Sequence, residues 1–260
     1  RESYPELPEM PEPAGQLPVG LLASMISRTI FAIAAEESRF TLNGALLLMK
    51  PDTLTMVATD GHRLALVEHP NPLGASGEHR ALIPRKALME LTRLAGETED
   101  DTAPLDFAAD DNHLYFRLGS RLLASRKLTG NFPDYERVLP KSHPHTVALD
   151  REDFRAAIER VSQFSDERSR AIKIRFADDE ATIHSSLSES GESEESLAVD
   201  YGGPTTEIGF NATYLLEFLR AVGEPRVRFH FKDPQSAGEL TPAGEDLNYR
   251  YRYVVMPMRI

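Results

Sequence analysis

The sequence predicts an α+β fold built from two similar domains. Short alternating strand patterns are separated by four segments that carry apolar residues at helical spacing. Residues 82–96 and 209–223 also align at a constant offset of 127 residues, with apolar positions, a Glu, an Arg and a closing Gly in common. Because the same order of helices and strands surrounds both segments, we expect two homologous units of about 120 residues each.

The composition excludes several classes of protein. The 260 residues include no cysteine, which excludes disulfides, thiol catalysis and cysteine-ligated metal centres. No run of about 18 apolar residues is present, so no membrane-spanning helix is predicted. The formal net charge of −12 argues against a broad basic surface for nucleic acid, but it leaves a local basic surface open.

The first half of the chain begins with a predicted linker. Residues 1–16 contain four prolines and four glutamates, a composition typical of an extended segment. Apolar residues at helical spacing follow from Leu17 to Ile33. Strands are then predicted at 40–49, 54–59, 63–68 and 80–83, a helix at 84–94, and further strands at 105–108, 113–118 and 122–127. The first domain is assigned to residues 17–139.

The second half repeats this order. A helix is predicted to begin at Asp150, whose carboxylate can cap the backbone N–H groups of the first turn. Further on, the Ser- and Glu-rich residues 187–195 are predicted to form an exposed hairpin tip or a mobile loop. The other elements are predicted strands at 171–176, 180–185, 197–201, 207–210, 227–232 and 250–255, and a helix at 211–222. The second domain is assigned to residues 140–260.

No catalytic or metal-binding motif is present in the sequence. The phosphate-binding pattern G-x-x-x-x-G-K-[ST], the dinucleotide pattern G-x-G-x-x-G and the nucleophile pattern G-x-S-x-G are all absent. The eight histidines show no zinc-ligand spacing. No catalytic residue, metal or cofactor is therefore predicted. Asp60 beside His62 leaves one enzymatic alternative open, a repeat-domain metabolic enzyme with its site at the His62–Arg63 turn.

Three segments carry the most specific motifs of the chain. They are ATDGHRLA at 58–65, GNFPDYERVLP at 130–140 and YVVMPMRI at 253–260. Together with LNG at 42–44 and IPRK at 83–86, they closely resemble the bacterial sliding clamp, the beta subunit of DNA polymerase III. The likeness extends over nearly the whole chain in the same order. It implies the second and third of the family's three domains, with the first missing.

The resemblance implies a ring protein without catalytic activity. Two helices of each domain line the inner wall, sheets lie outside, and two three-domain subunits close head to tail around duplex DNA. The implied partners are duplex DNA, the DNA polymerase III alpha subunit, the clamp loader and other proteins with a clamp-binding motif. The full-length protein is expected to be a homodimer in the bacterial cytoplasm. This chain alone is not expected to close the ring.

The resemblance also implies two sets of functional residues. Basic residues of the inner helices would face DNA; they are Arg28, Arg85, Lys86, Arg93, Arg155 and Arg160. Residues of an outer cleft would bind a short, mostly apolar partner peptide; they are Leu42, Thr59, Gly61, His62, Arg63, Leu64, Pro133, Arg137, Val138, Asn211, Tyr214, Val254, Met256, Pro257, Met258 and Arg259. The apolar members can line a pocket, and Met adapts to several partner side chains. The polar members expected to hold the peptide backbone are His62, Arg63, Arg137 and Asn211.

A peptide-binding adaptor without a DNA role is a further open alternative. The helices assigned to the inner wall also carry acidic residues, among them Glu90, Glu159 and Glu217, so their charge is only mildly basic. Basic side chains gathered on one wall would argue against the adaptor. Residues 234–248 align poorly with the family and supply no site residue.

Overall fold

The computed structural model describes residues 8–36, 38–187 and 191–259, without the side chains of residues 186 and 187. By their contacts these residues group into two units. The first takes its described residues from Arg1–Asp60, Leu66–Pro133 and Asn248–Arg250, and the second takes them from Gly61–Ala65, Asp134–Leu247 and Tyr251–Ile260. The short segment Gly61–Ala65 therefore groups with residues that come much later in the chain.

The first unit contains two helices and eight strands in its described residues, although the first three residues of β4 group with the second unit. They are β1 (Gly15–Pro18), α1 (Val19–Ser27), β2 (Gly44–Met49), β3 (Thr53–Thr59), β4 (Arg63–Pro70), β5 (His79–Pro84), α2 (Arg85–Gly96), β6 (Pro104–Ala109), β7 (His113–Leu118) and β8 (Arg121–Arg126). One sheet has the strand order β1-β6-β7-β8, and β5-β2-β3-β4 are neighbours in another. The pairings of β1 with β6, β6 with β7, β7 with β8, and β2 with both β3 and β5 are antiparallel.

The first of the two predicted helices in the first unit is shorter than its apolar spacing suggested. Helix α1 ends at Ser27, and only one 3-10 turn, Ile30–Ala32, follows before the predicted limit at Ile33. The buried hydroxyl of Thr29 donates to the carbonyl oxygen of Met25 at 2.9 Å. A side-chain bond of this kind competes with the backbone ladder, which accounts for the early end of the helix.

Part of the predicted linker is folded. Gly15 and Gln16 belong to β1, where they lie opposite Phe107 and Asp106 of β6. Backbone hydrogen bonds to a neighbouring strand fix this segment. The proline content of the segment did not indicate this strand pairing. Residues 1–7 of the linker lie outside the described residues.

The second unit contains the same number of elements in its described residues. They are β9 (His145–Asp150), α3 (Arg151–Val161), β10 (Ala171–Ala177), β11 (Glu180–Leu187), β12 (Gly191–Ala198), β13 (Thr206–Asn211), α4 (Ala212–Ala221), β14 (Arg226–Phe231), β15 (Gly238–Ala243) and β16 (Arg250–Val255). The strand neighbours are β9-β14-β15-β16 in one sheet and β13-β10-β11-β12 in the other. None of the helices in the described part of the chain is both long and apolar enough to cross a membrane.

The two units share one topology. Both follow the order β-α-β-β-β-β-α-β-β-β, and each strand of the second unit occupies the place of the corresponding strand of the first. The predicted α+β class is confirmed, and so is the two-fold repeat. The matched segments 82–96 and 209–223 correspond to the strand-to-helix passages β5–α2 and β13–α4.

Aromatic rings fill the core of the second unit. Phe176 and Phe231 stack with ring centres 4.5 Å apart, and Phe218 stacks on Tyr253 at 5.1 Å. All four side chains are fully buried. Such a pair contributes about 0.5–1.5 kcal/mol beyond the area it buries. The Phe218–Tyr253 pair joins α4 to β16 and so fixes the two elements that carry much of the candidate site.

The prediction of a loop or hairpin tip at residues 187–195 is wrong for residues 191–195. These residues belong to β12, in which Glu194 and Glu195 lie opposite His184 and Ile183 of β11. Strand pairing uses backbone groups, so a Ser- and Glu-rich sequence can still pair at the edge of a sheet. Residues 188–190 lie outside the described residues.

Candidate functional site

A buried arginine forms the centre of the candidate site in the second unit. Arg63 is only 8% exposed, and its guanidinium pairs with the carboxylate of Glu217 on α4. The same guanidinium lies 4.3 Å from the ring centre of Tyr214. Burial by itself would lower the pKa of Arg63, but Tyr253 and Glu217 together raise it above its usual value. Arg63 therefore stays charged, and its charge is directed at groups of the same unit.

Hydrogen bonds fix the first turn of α4 through two of its backbone N–H groups and one of its carbonyl oxygens. The side-chain oxygen of Asn211 accepts from the backbone N–H groups of Thr213 at 2.9 Å and Tyr214 at 3.4 Å. The carbonyl oxygen of Tyr214 accepts from the hydroxyl of Tyr253 at 2.9 Å. Asn211 thus acts as the N-cap of the helix, so its oxygen is already engaged in the fold. These bonds fix the backbone of Tyr214, whose ring contacts Arg63.

The chain end after β16 is attached at two points. The backbone N–H of Met256 donates to the carbonyl oxygen of His62 at 2.9 Å, and that of Met258 donates to Gly209 at 2.8 Å. Met256 is 40% exposed, although it is a large apolar residue. Gly61, which precedes His62, has a φ of 91°, a backbone conformation that side chains with a Cβ disfavour. The segment therefore presents apolar side chains beside a turn that needs glycine.

The other predicted cleft residues of the second unit differ in exposure. Leu64 and Val254 are buried and underlie the surface. Val138 is half-buried after a 3-10 turn, Tyr135–Arg137. The members with exposed or half-exposed side chains are His62, Arg137, Met256, Pro257, Met258 and Arg259. Of the residues expected to hold a peptide backbone, His62 and Arg137 lie at the surface, whereas the Arg63 guanidinium and the Asn211 oxygen are engaged within the unit.

Three predicted cleft residues belong to the first unit. Leu42 closes a 3-10 turn where a strand was predicted, and its carbonyl oxygen accepts from the N–H of Ala34 at 3.0 Å. Thr59 is the buried last residue of β3, and Pro133 is exposed. The assignment of all sixteen residues to a peptide cleft stays a prediction.

Several of the predicted DNA-facing residues of the first unit make contacts within that unit. Arg93 on α2 pairs with Glu90 at 2.9 Å and also with Glu97, and these carboxylates raise its pKa. Arg28 lies over the ring of Tyr249, with 4.8 Å to the ring centre. The remaining two, Arg85 and Lys86, are exposed at the start of α2, and Arg85 donates to the carbonyl oxygen of Ile30 at 3.5 Å.

The predicted DNA-facing residues of the second unit form ion pairs as well. Arg155 on α3 pairs with Glu152 at 2.6 Å and Glu159 at 3.0 Å, and both carboxylates raise its pKa. Arg160 binds Glu195 of β12 through two contacts of 2.5 and 2.6 Å. Carboxylates therefore offset much of the positive charge of α3. That these residues face DNA stays a prediction.

Sequence reasoning missed the role of Glu217. It placed Glu217 on the inner wall, but the carboxylate pairs with Arg63. One signal was available, because Tyr214 and Glu217 are three residues apart and such residues share a helix face. The partner Arg63 lies 154 residues away in sequence, and no local pattern connects the two. Among the described residues, no group of three His, Asp or Glu side chains is placed to hold a metal ion.

Comparison with known proteins identifies the family of the chain. Residues 16–134 match the family described as DNA polymerase III beta subunit, central domain, and residues 136–259 match its C-terminal domain. The chain is 38% identical over 98% of its length to the beta sliding clamp of Pseudomonas putida and covers 69% of that protein. The chain belongs to the bacterial beta sliding clamp family. The beta sliding clamp of Caulobacter vibrioides is 37% identical over 92% of this chain, which covers 64% of that protein.

Solved structures of the clamp family share the fold. The DNA polymerase III subunit beta from Pseudomonas aeruginosa matches 98% of this chain with a TM-score of 0.89 and 35% identity, and 69% of that protein is covered. A sliding clamp from the same organism bound to griselimycin matches 99% of this chain with a TM-score of 0.91 and 36% identity, with 68% of it covered. The predicted family and fold are confirmed by these matches.

Proposed function

We propose that this chain acts as part of a DNA sliding clamp, which holds other proteins on duplex DNA without catalysing a reaction. A peptide-binding site in the second unit would capture those partners. The observation that carries the proposal is the attachment of the segment Met256–Arg259 beside His62, in a unit whose Tyr214 ring is fixed under Arg63. An exposed apolar segment next to a rigid aromatic wall suits an extended peptide with apolar anchors.

The charge distribution supports a weak, sequence-independent contact with DNA. Phosphate contacts carry no sequence information, and a clamp that slides needs only mild attraction. The helices offer arginines, but carboxylates on the same helices or on neighbouring strands pair with several of them. With a net charge of −12, the chain by itself should bind duplex DNA weakly and lose it as salt is added. The alternative of an adaptor without a DNA role predicts no such binding at any salt concentration.

The biological setting of this proposal follows the family. The partners would be the DNA polymerase III alpha subunit, the clamp loader and other proteins with a clamp-binding motif, and the full-length protein would work as a homodimer in the bacterial cytoplasm. The division into domains 17–139 and 140–260 stays a prediction of the same standing, while the predicted linker, 1–16, is shortened by Gly15 and Gln16, which belong to β1. No cofactor takes part in the proposed activity.

Two variants test the proposed function, one expected to lose peptide binding and the other expected to lose DNA binding. A labelled peptide that contains Gln followed by Leu and Phe is titrated into the wild type, a variant lacking residues 256–260, and the variant Arg85→Ala/Lys86→Ala. We expect the deletion to abolish peptide binding and the double substitution to leave it intact, since Arg85 and Lys86 lie on α2 of the first unit. Duplex DNA binding at low salt should show the reverse pattern. Undiminished peptide binding by a folded deletion variant would remove the site assignment.

A further inference from the structure

Glu217 has an unusual partner for its place on a helix. Arg220 follows it by three residues, the spacing at which Glu and Arg pair along a helix surface. Yet Arg220 pairs with Glu159 of α3 at 2.8 Å, and Glu217 pairs with Arg63 instead. The contact of Glu217 therefore links α4 to the Gly61–Ala65 segment.

The first unit provides an internal reference for this position. Glu90 of α2 corresponds to Glu217 in the repeat, and Arg93 corresponds to Arg220. Glu90 makes the local pair with Arg93 at 2.9 Å, and its side chain is 50% exposed. Glu217 is 31% exposed. The same residue type at equivalent positions thus supports the helix in one unit and neutralises a buried cation in the other.

The charge of Arg63 would otherwise act on anything bound beside it. Charges interact more strongly at a partly buried site than in water, because the surroundings screen them less. An uncompensated guanidinium at this wall would favour peptides with acidic residues. The Glu217 carboxylate cancels that charge at short range and also holds the guanidinium over the Tyr214 ring.

We propose that Glu217 is a specificity-determining residue of the peptide site, which makes the wall formed by Arg63 and Tyr214 selective for uncharged peptides over acidic ones. The inference rests on the proposed peptide-binding function. It assigns to Glu217 an effect on the choice of peptide, in addition to any effect on stability. A purely structural role would change the affinity for all peptides by the same factor.

The test compares two labelled peptides of identical length that differ only in having Gln or Glu next to a Leu-Phe anchor. Their dissociation constants are measured for the wild type, Glu217→Gln and Arg63→Met/Glu217→Gln. We expect the wild type to prefer the Gln peptide and Glu217→Gln to reduce that preference about tenfold. The double variant should recover the preference, because it lacks the cation. Glu207→Gln is the control, since Glu207 pairs with Lys173 on the β10–β13 surface and is also half-exposed.

The outcomes separate the inference from the proposed function. If the folded wild type binds neither peptide, both the proposed function and the inference fail. If the wild type binds the Gln peptide but Glu217→Gln keeps the same preference, only the inference fails. Thermal melting shows which variants are folded. Should Glu217→Gln not fold, Glu217→Asp takes its place; its shorter side chain should reduce the preference by a smaller factor, and an unchanged preference would overturn the inference.

Discussion

The two units place different residues on the same scaffold at the start of their second helix. In the first unit the repeat positions are Pro84, Ala87 and Glu90, and in the second they are Asn211, Tyr214 and Glu217. Ala87 is buried, and Glu90 pairs locally with Arg93. In the second unit Asn211 caps α4, the Tyr214 ring and the Glu217 carboxylate contact Arg63, and the Tyr214 carbonyl oxygen accepts from Tyr253. Two substitutions, Pro84 to Asn211 and Ala87 to Tyr214, and a different partner for the shared Glu therefore distinguish the second helix of one unit from that of the other.

The comparison shows how a repeat separates folding from binding. Both units keep apolar residues at the buried positions of this helix, such as Leu91 and Phe218, which correspond in the repeat. The change from Ala87 to Tyr214 alters the surface without altering the topology. Function can thus differ between units whose strand orders are identical.

The largest expected effect concerns the buried positions that the units share. Phe218→Ala removes a ring stacked on Tyr253 and should lower the free energy of unfolding by about 3–5 kcal/mol. Leu91→Ala, the matched change in the first unit, should cost about 2–5 kcal/mol. Denaturant titration followed by circular dichroism measures both. A cost below about 1 kcal/mol for Phe218→Ala would show that the ring does not support this core.

The repeat was predictable because its signals are local. Apolar spacing, the Asp150 cap and the matched strand-to-helix passage lie within short stretches of sequence. The arrangement of the site was not predictable from the residues alone, since Arg63 and Glu217 are far apart in sequence. The resemblance named Arg63 as a cleft residue, but the structure was needed to show that its guanidinium pairs with Glu217 and packs on Tyr214.

The next effect concerns the residue that most distinguishes the second unit. Tyr214→Ala should weaken binding of the Gln-, Leu- and Phe-containing peptide about 30-fold, as expected when a central aromatic side chain of an interface is removed. Met89→Ala on α2 is the control, because Met89 is an exposed apolar residue of the equivalent helix in the first unit. Fluorescence anisotropy with the labelled peptide gives both affinities. Equal affinities for the two variants would contradict the assignment of Tyr214 to the site.

A smaller effect on stability concerns the residues that cap the helices. Asp150 and Asn211 cap α3 and α4 through their side chains, whereas Pro18 and Pro84 at the starts of α1 and α2 make no such bond. Asp150→Ala should therefore lower the free energy of unfolding by about 1 kcal/mol. Pro84→Ala removes no capping bond and provides the comparison in the same denaturant assay. A larger loss of unfolding free energy for Pro84→Ala than for Asp150→Ala would contradict this interpretation of the caps.

The smallest effect is a difference in acid titration between equivalent turns. Asp110 follows β6 and Asp233 follows β14. The Tyr115 hydroxyl and the Asn112 N–H lower the pKa of Asp110 to about 2, and bonds from Ser236 and Gln235 lower the pKa of Asp233. A lowered carboxyl pKa stabilises the fold above the ordinary value near pH 4, and this contribution is lost as the pH falls towards 2.

The titration is checked by following the carboxyl carbons with NMR. Tyr115→Phe removes the largest cause of the shift, so the pKa of Asp110 should rise towards its ordinary value while that of Asp233 stays lowered. The variant should then lose less stability between pH 4 and pH 2 than the wild type does. An unchanged Asp110 titration in Tyr115→Phe would show that the hydroxyl is not the cause.

Hydrogen–deuterium exchange with and without the partner peptide tests the central claim most directly. The claim is that the second unit binds the peptide between the Gly61–Ala65 segment, the start of α4 and the end of the chain. The account predicts slower exchange in residues 61–64, 211–217 and 254–259 when the peptide is present, and no change in α2 (Arg85–Gly96). Slower exchange at the start of α2, or none at residues 254–259 under saturating peptide, would contradict it.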